Sequence, residues 1–108
     1  MDRRSGNERR EHPRHNVTVD IDWENATGRN NGTLSDISTS GCFVLSSGDT
    51  EDGETVRLYL PLGEGMKVQI NGEVTNHVFE IGFAVRFIDL TPAQKDFLYN
   101  FVAMHKAQ

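Results

Sequence analysis

The sequence predicts a mainly β fold: a six-stranded antiparallel barrel with a flexible N-terminal arm and one C-terminal helix. Three observations carry this. Short apolar or alternating runs recur between Val17 and Phe87, separated by turn signals. After Thr91 the hydrophobic period changes from strand-like to helical. The 108 residues suit one domain, and 36% hydrophobic content supports one modest core but not two. Closing the sheet into a barrel would also remove its exposed edges.

The expected elements run as follows. Residues 1–14 are polar and aperiodic, and read as an arm, with residues 1–8 disordered and a single domain over 9–108. Pro13 restrains the chain before Arg14 and disfavours helix at His12. Val17, Val19, Ile21 and Trp23 alternate with polar residues and predict a half-buried first strand. Asn25 to Gly32, rich in Asn, Gly and Thr, reads as a hairpin loop. Thr33 to Ile37 gives the second strand, and Asp36 to Gly41 turns the chain. Cys42-Phe43-Val44-Leu45 gives the third, its unbroken apolar run predicting burial on both faces. Ser46 to Glu54 is a polar, acidic loop. Val56 to Leu60 is the fourth strand and Gly63-Glu64-Gly65 a turn. Lys67 to Thr75 is the fifth, with Gly72 allowing a bend and His77 placed in a turn. Phe79 to Phe87 is the sixth, with Ile81, Phe83, Val85 and Phe87 on one face. The barrel is thus expected over about residues 15–88 and the helix over about 92–106.

The helix carries its own start signal. Thr91 is placed as N-cap, Pro92 as first helical residue and Gln94 three residues after the cap. Leu98, Val102 and His105 form one stripe, and Phe97, Phe101 and Met104 its neighbour. Such a helix is expected to cover an open end or face of the sheet.

Composition excludes several classes of function. No run approaches the ~20 apolar residues of a membrane span, and no apolar stretch follows Met1, so neither membrane insertion nor a signal peptide is expected. The single cysteine, Cys42, has no intrachain disulfide partner and no histidine cluster. A cytoplasmic protein fits these features, and the Asn-x-Thr triplets at Asn16, Asn25 and Asn31 are then chance matches. The acidic loop fails the calcium template, since counting from Asp49 places Leu60 where a glutamate is needed. Gly65-Met66-Lys67 lacks the spacing of a phosphate-binding loop. His12 and His15 lie three apart, but Pro13 opposes the helix that would bring them onto one metal. No catalytic residues, metal ligands or cofactor are expected, and the chain does not read as an enzyme.

The net charge of −5 argues against a general nucleic-acid binder. The charge is unevenly placed. Residues 1–14 hold five arginines against three carboxylates, and the remainder holds six basic against thirteen acidic residues. A basic arm on an acidic body is either a solvated tail or a local anion site. Within it, Arg10-Glu11-His12-Pro13-Arg14 sets two guanidinium groups four residues apart, at most ~14 Å between backbones if extended. Their planar forks match phosphate oxygens and the O6/N7 edge of guanine. The turn Asp36-Ile37-Ser38-Thr39-Ser40-Gly41 supplies a carboxylate able to accept from the guanine N1–H and N2 amino donors. Ser38 adds a hydroxyl, and Gly41 permits close backbone approach. Taken alone, the same turn is an ordinary Asx or Ser turn between strands.

In this order and at this spacing, Arg10-x-x-x-Arg14 followed by Asp36-x-Ser38-x-x-Gly41 resembles the PilZ domain family. Arg9 before the first motif arginine, the Gly-containing late stretch Glu80 to Phe87 and the C-terminal helix are similar too. The resemblance covers nearly the whole chain from about Glu8. It implies a six-stranded barrel that binds cyclic di-GMP. Arg10 and Arg14 would grip phosphate and the guanine O6/N7 edge, and Arg9 would add a contact or stack. Asp36 and Ser38 would read the other guanine edge, and Gly41 would shape the turn. Glu11, inside the first motif, can neutralise an arginine, though intervening positions vary in the family. The expected output is an arm that closes over the nucleotide and alters a surface for a downstream protein partner. The alternative is a PilZ-like adaptor that binds protein and no nucleotide. An oligonucleotide-binding barrel fits poorly with the acidic body and few exposed aromatics.

Overall fold

The computed structural model describes residues 14–106. Six strands, β1 (His15–Asn25), β2 (Gly28–Ile37), β3 (Gly41–Leu45), β4 (Thr55–Gly63), β5 (Met66–Val78) and β6 (Gly82–Phe87), precede one helix, α1 (Pro92–Lys106). All neighbours are antiparallel, and the order β1-β2-β3-β6-β5-β4 closes into a barrel. The expected fold class is therefore borne out.

Inward side chains fill the barrel: Ile21 and Trp23 from β1, Leu34 and Ile37 from β2, Cys42 and Val44 from β3, Phe83 and Val85 from β6. Trp23 meets Phe83 edge to face, with centroids 4.8 Å apart at 68°, a favoured aromatic geometry. The helix packs on β1, where β1 and β4 have parted, since those strands pair only through Asp22, Trp23 and Glu24. Leu98, Phe101 and Val102 are buried, and Phe97 and Leu90 pack against the same core. Gln94 Nε2 donates to the Gln69 carbonyl at 2.9 Å, tying the helix start to β5. The helix thus seals an opening in the barrel wall, as its pattern predicted. No helix among the described residues is long and apolar enough to cross a membrane.

Several boundaries differ from expectation. Residues 28–32 are strand, not loop: β1 and β2 stay paired out to Asn25 and Gly28. Asn25 Oδ1 holds the two-residue turn by accepting from the Thr27 amide and hydroxyl. The apolar alternation is missing from early β2 because it must make room for Trp23. A Cβ on Gly32 would stand 2.8 Å from a Val44 methyl and 3.2 Å from the Trp23 ring. β3 is not buried on both faces, for Phe43 is half-buried and Leu45 exposed. β5 runs on through His77, and its register shift lies between Val74 and Asn76, not at Gly72. β6 starts only at Gly82. Phe79 and Ile81 sit in the preceding turn, exposed, because Glu80 takes a positive φ of 63° and breaks the alternation. On the helix, Met104 faces solvent.

Candidate functional site

The start of β1, the end of β2, the Ser38–Gly41 turn and the end of β6 meet at one end of the barrel. The register pairs His15 with Ile37 and Asn16 with Asp36, so Arg14, just before β1, arrives beside Asp36. Arg14 Nη1 lies 2.6 Å from Asp36 Oδ1, with both side chains partly exposed. A guanidinium carries five N–H donors, so this pair leaves Arg14 further donors to offer.

Asp36 faces outward because of an irregularity. The register of β2 on β3 shifts between Leu34 and Asp36, inserting Ser35. Leu34 and Ile37 therefore both point into the core while Ser35 and Asp36 lie at the surface. Bulges of this kind re-aim side chains at strand ends.

The turn is locked from within. The Ser38 amide donates to the Gly41 carbonyl at 2.8 Å. Ser38 Oγ accepts from the amides of Ser40 and Gly41 at 3.1 and 3.2 Å, and Ser38 is 1% exposed. Its hydroxyl is thus committed to the turn. Gly41 pairs with Arg86 on β6, and a Cβ there would stand 2.3 Å from the Val85 carbonyl oxygen. The Phe87 amide donates to the Ser40 carbonyl at 2.9 Å, fixing the turn to β6.

Arg86, which no sequence pattern singled out, stands across Gly41 from this region and is paired with Glu73. Only the register of β3, β5 and β6 brings it there. Beneath the turn, Cys42 is fully buried. Burial, and secondarily the Asp36 charge, push its thiol far above the ordinary range, with Arg14 partly offsetting this. The neutral thiol is no nucleophile.

The structure therefore brings Arg14, Asp36, Ser38 and Gly41 together. Arg9, Arg10 and Glu11, with the arm and the expected boundary near residue 8, lie outside the described residues. Farther along the outer face of β1 and β2 is a shallow cleft of about 530 Å³ lined by Asp20, Asp22, Asn31, Thr33 and Lys67. Asp22 there is held below the ordinary carboxylate range, first by its hydrogen bond from Lys67. That cleft is acidic, so an anion is better served at the Arg14 end. Among the described residues no group of three or more His, Cys, Asp or Glu side chains is placed to hold a metal.

Comparison with known proteins agrees with this fold. The PilZ domain family model matches residues 8–104. The PilZ domain of YcgR from Escherichia coli, solved with c-di-GMP, superposes with a TM-score of 0.76 at 13% identity, covering 92% of each chain. The PilZ domain of CeSA from a cellulose-synthesizing bacterium gives 0.68 at 20% identity, over 84% of this chain and 95% of that one. The Borreliella burgdorferi PlzA protein in complex with c-di-GMP gives 0.68 at 13% identity, over 90% of this chain but only 42% of PlzA. At these identities the superpositions speak for the fold. No curated protein matches the chain by sequence. The family match spans most of the chain and the barrel carries the same architecture, and on these grounds the chain belongs to the PilZ domain family.

Proposed function

We propose that this chain is a cyclic di-GMP receptor without catalytic activity of its own, and that the Arg14–Asp36 end of the barrel is its binding site. The observation that supports this most is the juxtaposition itself. The last residue of Arg10-x-x-x-Arg14 and the first of Asp36-x-Ser38-x-x-Gly41 stand 2.6 Å apart. A guanidinium beside a carboxylate can address both edges of guanine, the acceptor edge through Arg14 and the donor edge through Asp36. The PilZ domain of YcgR and the PlzA protein were both solved with c-di-GMP, which supports this choice of ligand. Arg10 and Arg9 would bring further donors to the phosphates as the arm closes. Ser38 and Gly41 act in this reading by fixing the turn from which Asp36 projects. The protein would be cytoplasmic, and the closed arm would change the surface offered to a downstream protein partner, a population shift biased by ligand.

Titration calorimetry with cyclic di-GMP tests the reading. Saturable heat with the wild type, greatly weakened in Arg14→Ala and Asp36→Ala, is the expected result. The binding ratio separates one nucleotide from a stacked pair. A folded wild type that gives no heat would return the chain to the adaptor that binds protein alone.

A further inference from the structure

The opposite end of the barrel carries an apolar surface that the nucleotide reading does not use. Phe79 is 77% exposed and Ile81 54% exposed, with Leu45 and Val78 beside them. Register brings these together, since Leu45 and Val78 both pair with Gly82. The display is built, not loose: the Ile81 amide donates to the Val78 carbonyl at 2.9 Å, and the Ser46 amide to the Ile81 carbonyl at 3.0 Å. A cleft of about 500 Å³ runs between this turn and the loop after β3. That loop is held from below. Trp23 Nε1 donates to Ser46 Oγ at 3.0 Å, and Asn25 Nδ2 to the Asp49 carbonyl at 3.0 Å. Both walls are therefore formed in advance, which lowers the ordering cost of binding.

Charge selects the occupant. The residues lining the cleft include Asp49 and Glu80 and no lysine or arginine. Their one histidine, His77, is paired with Asp52 at 3.1 Å. Apolar patches rimmed by polar residues mark interaction surfaces. We propose that the Phe79–Ile81 turn and its acidic rim form a docking surface for a basic amphipathic segment of a partner protein, apolar side on Phe79 and Ile81, cationic side toward the carboxylates. A second copy of this chain fits badly, because a two-fold contact sets the same patch on both sides and would face carboxylates with carboxylates. Anionic lipid and nucleic acid meet the same repulsion. The arm is basic, but between Met1 and Arg14 its only apolar side chain is Pro13, so it has little to lay on the patch.

The proposal is independent of nucleotide binding, and its test uses the full chain without nucleotide. A synthetic leucine–lysine amphipathic helix, about four turns long, is titrated into isotope-labelled protein and followed by amide chemical shifts. Shifts centred on residues 45–50 and 77–82 are expected. So are weakening with salt, no binding of the leucine–glutamate counterpart, and a loss of about tenfold or more in Phe79→Ser/Ile81→Ser. Both substituted residues are exposed, and the Trp23 fluorescence of the variant checks that its core is intact. Equal affinity in the double variant, or shifts centred on Asp20 and Asp22, would overturn the assignment. So would equal binding of the acidic peptide, self-association in sedimentation that the double variant abolishes, or binding to phosphatidylserine vesicles.

Discussion

Arg14 and Asp36 are 22 residues apart in the chain, yet the β1–β2 register brings Arg14 Nη1 to within 2.6 Å of Asp36 Oδ1. The pair sits at the surface, where such bridges contribute about 0–1 kcal/mol to stability. Against an anionic ligand the same guanidinium would make charge-assisted bonds of about 1.5–3 kcal/mol each. Arg14→Ala should therefore move the urea midpoint little while weakening cyclic di-GMP roughly tenfold to a hundredfold or more for each such hydrogen bond removed. Parallel denaturation and calorimetry check the split. A large stability loss with unchanged affinity would make the pair a structural clamp only.

Ser38 and Gly41 should show the reverse pattern to Arg14. Ser38→Ala deprives the Ser40 and Gly41 amides of their shared acceptor, at a cost of about 1–3 kcal/mol. Gly41→Ala drives a Cβ onto the Val85 carbonyl oxygen, an overpacking that costs about 1–3 kcal/mol and must push β3 from β6. Affinity is then lost through a displaced Asp36. Chemical denaturation of both variants, with calorimetry where they stay folded, is the measurement.

The pH dependence follows from the outer face of β1. Glu24 accepts from the Tyr59 hydroxyl at 2.7 Å and from Arg57 Nε at 3.0 Å. These bonds, the Tyr59 one foremost, hold its carboxyl below the ordinary value of 4.5. A carboxylate depressed in the folded state adds stability above its unfolded pKa and loses it as pH falls through the folded value. Asp22, held below 3.8 chiefly by Lys67, acts in the same direction at lower pH. The urea midpoint should fall as pH drops below about 4.5, and Glu24→Gln should flatten the first part of that fall. A wild-type midpoint constant through this range would contradict the assignment.

How much of this was legible in the sequence depended on whether a signal is local. The Val17–Trp23 alternation and the Thr91–Gln94 cap are local, and both read correctly. The start of β2 did not, because Gly32 leaves out a side chain where Val44 and Trp23, residues of other strands, fill the space. Phe79 and Ile81 continue a period of two through a turn, so pattern alone placed them in the last strand. The site was half legible: the two motifs name Arg14, Asp36, Ser38 and Gly41, but not that Ser38 turns its hydroxyl into the loop. The outward aim of Asp36 rests on the register shift at Ser35, and the position of Arg86 on pairings across three strands. Neither exists until the sheet is closed.

The seal between helix and barrel gives a last expectation. The Thr91 amide donates to Gln94 Oε1 at 2.8 Å, and the Gln94 amide donates to Thr91 Oγ1 at 3.1 Å, the reciprocal bonds of a capping box. Gln94 also reaches the Gln69 carbonyl through Nε2, so one side chain both starts the helix and anchors it to β5. Thr91→Ala should cost about 1 kcal/mol, as for other lost N-caps. Gln94→Ala removes the other half of the cap together with the anchor and should cost more. Because the two residues share the cap, the double variant should fall short of the sum of the singles. Thermal or urea unfolding of the three variants measures this. Strict additivity would mean that the two bonds act separately and that Gln94 serves only as the tether to Gln69.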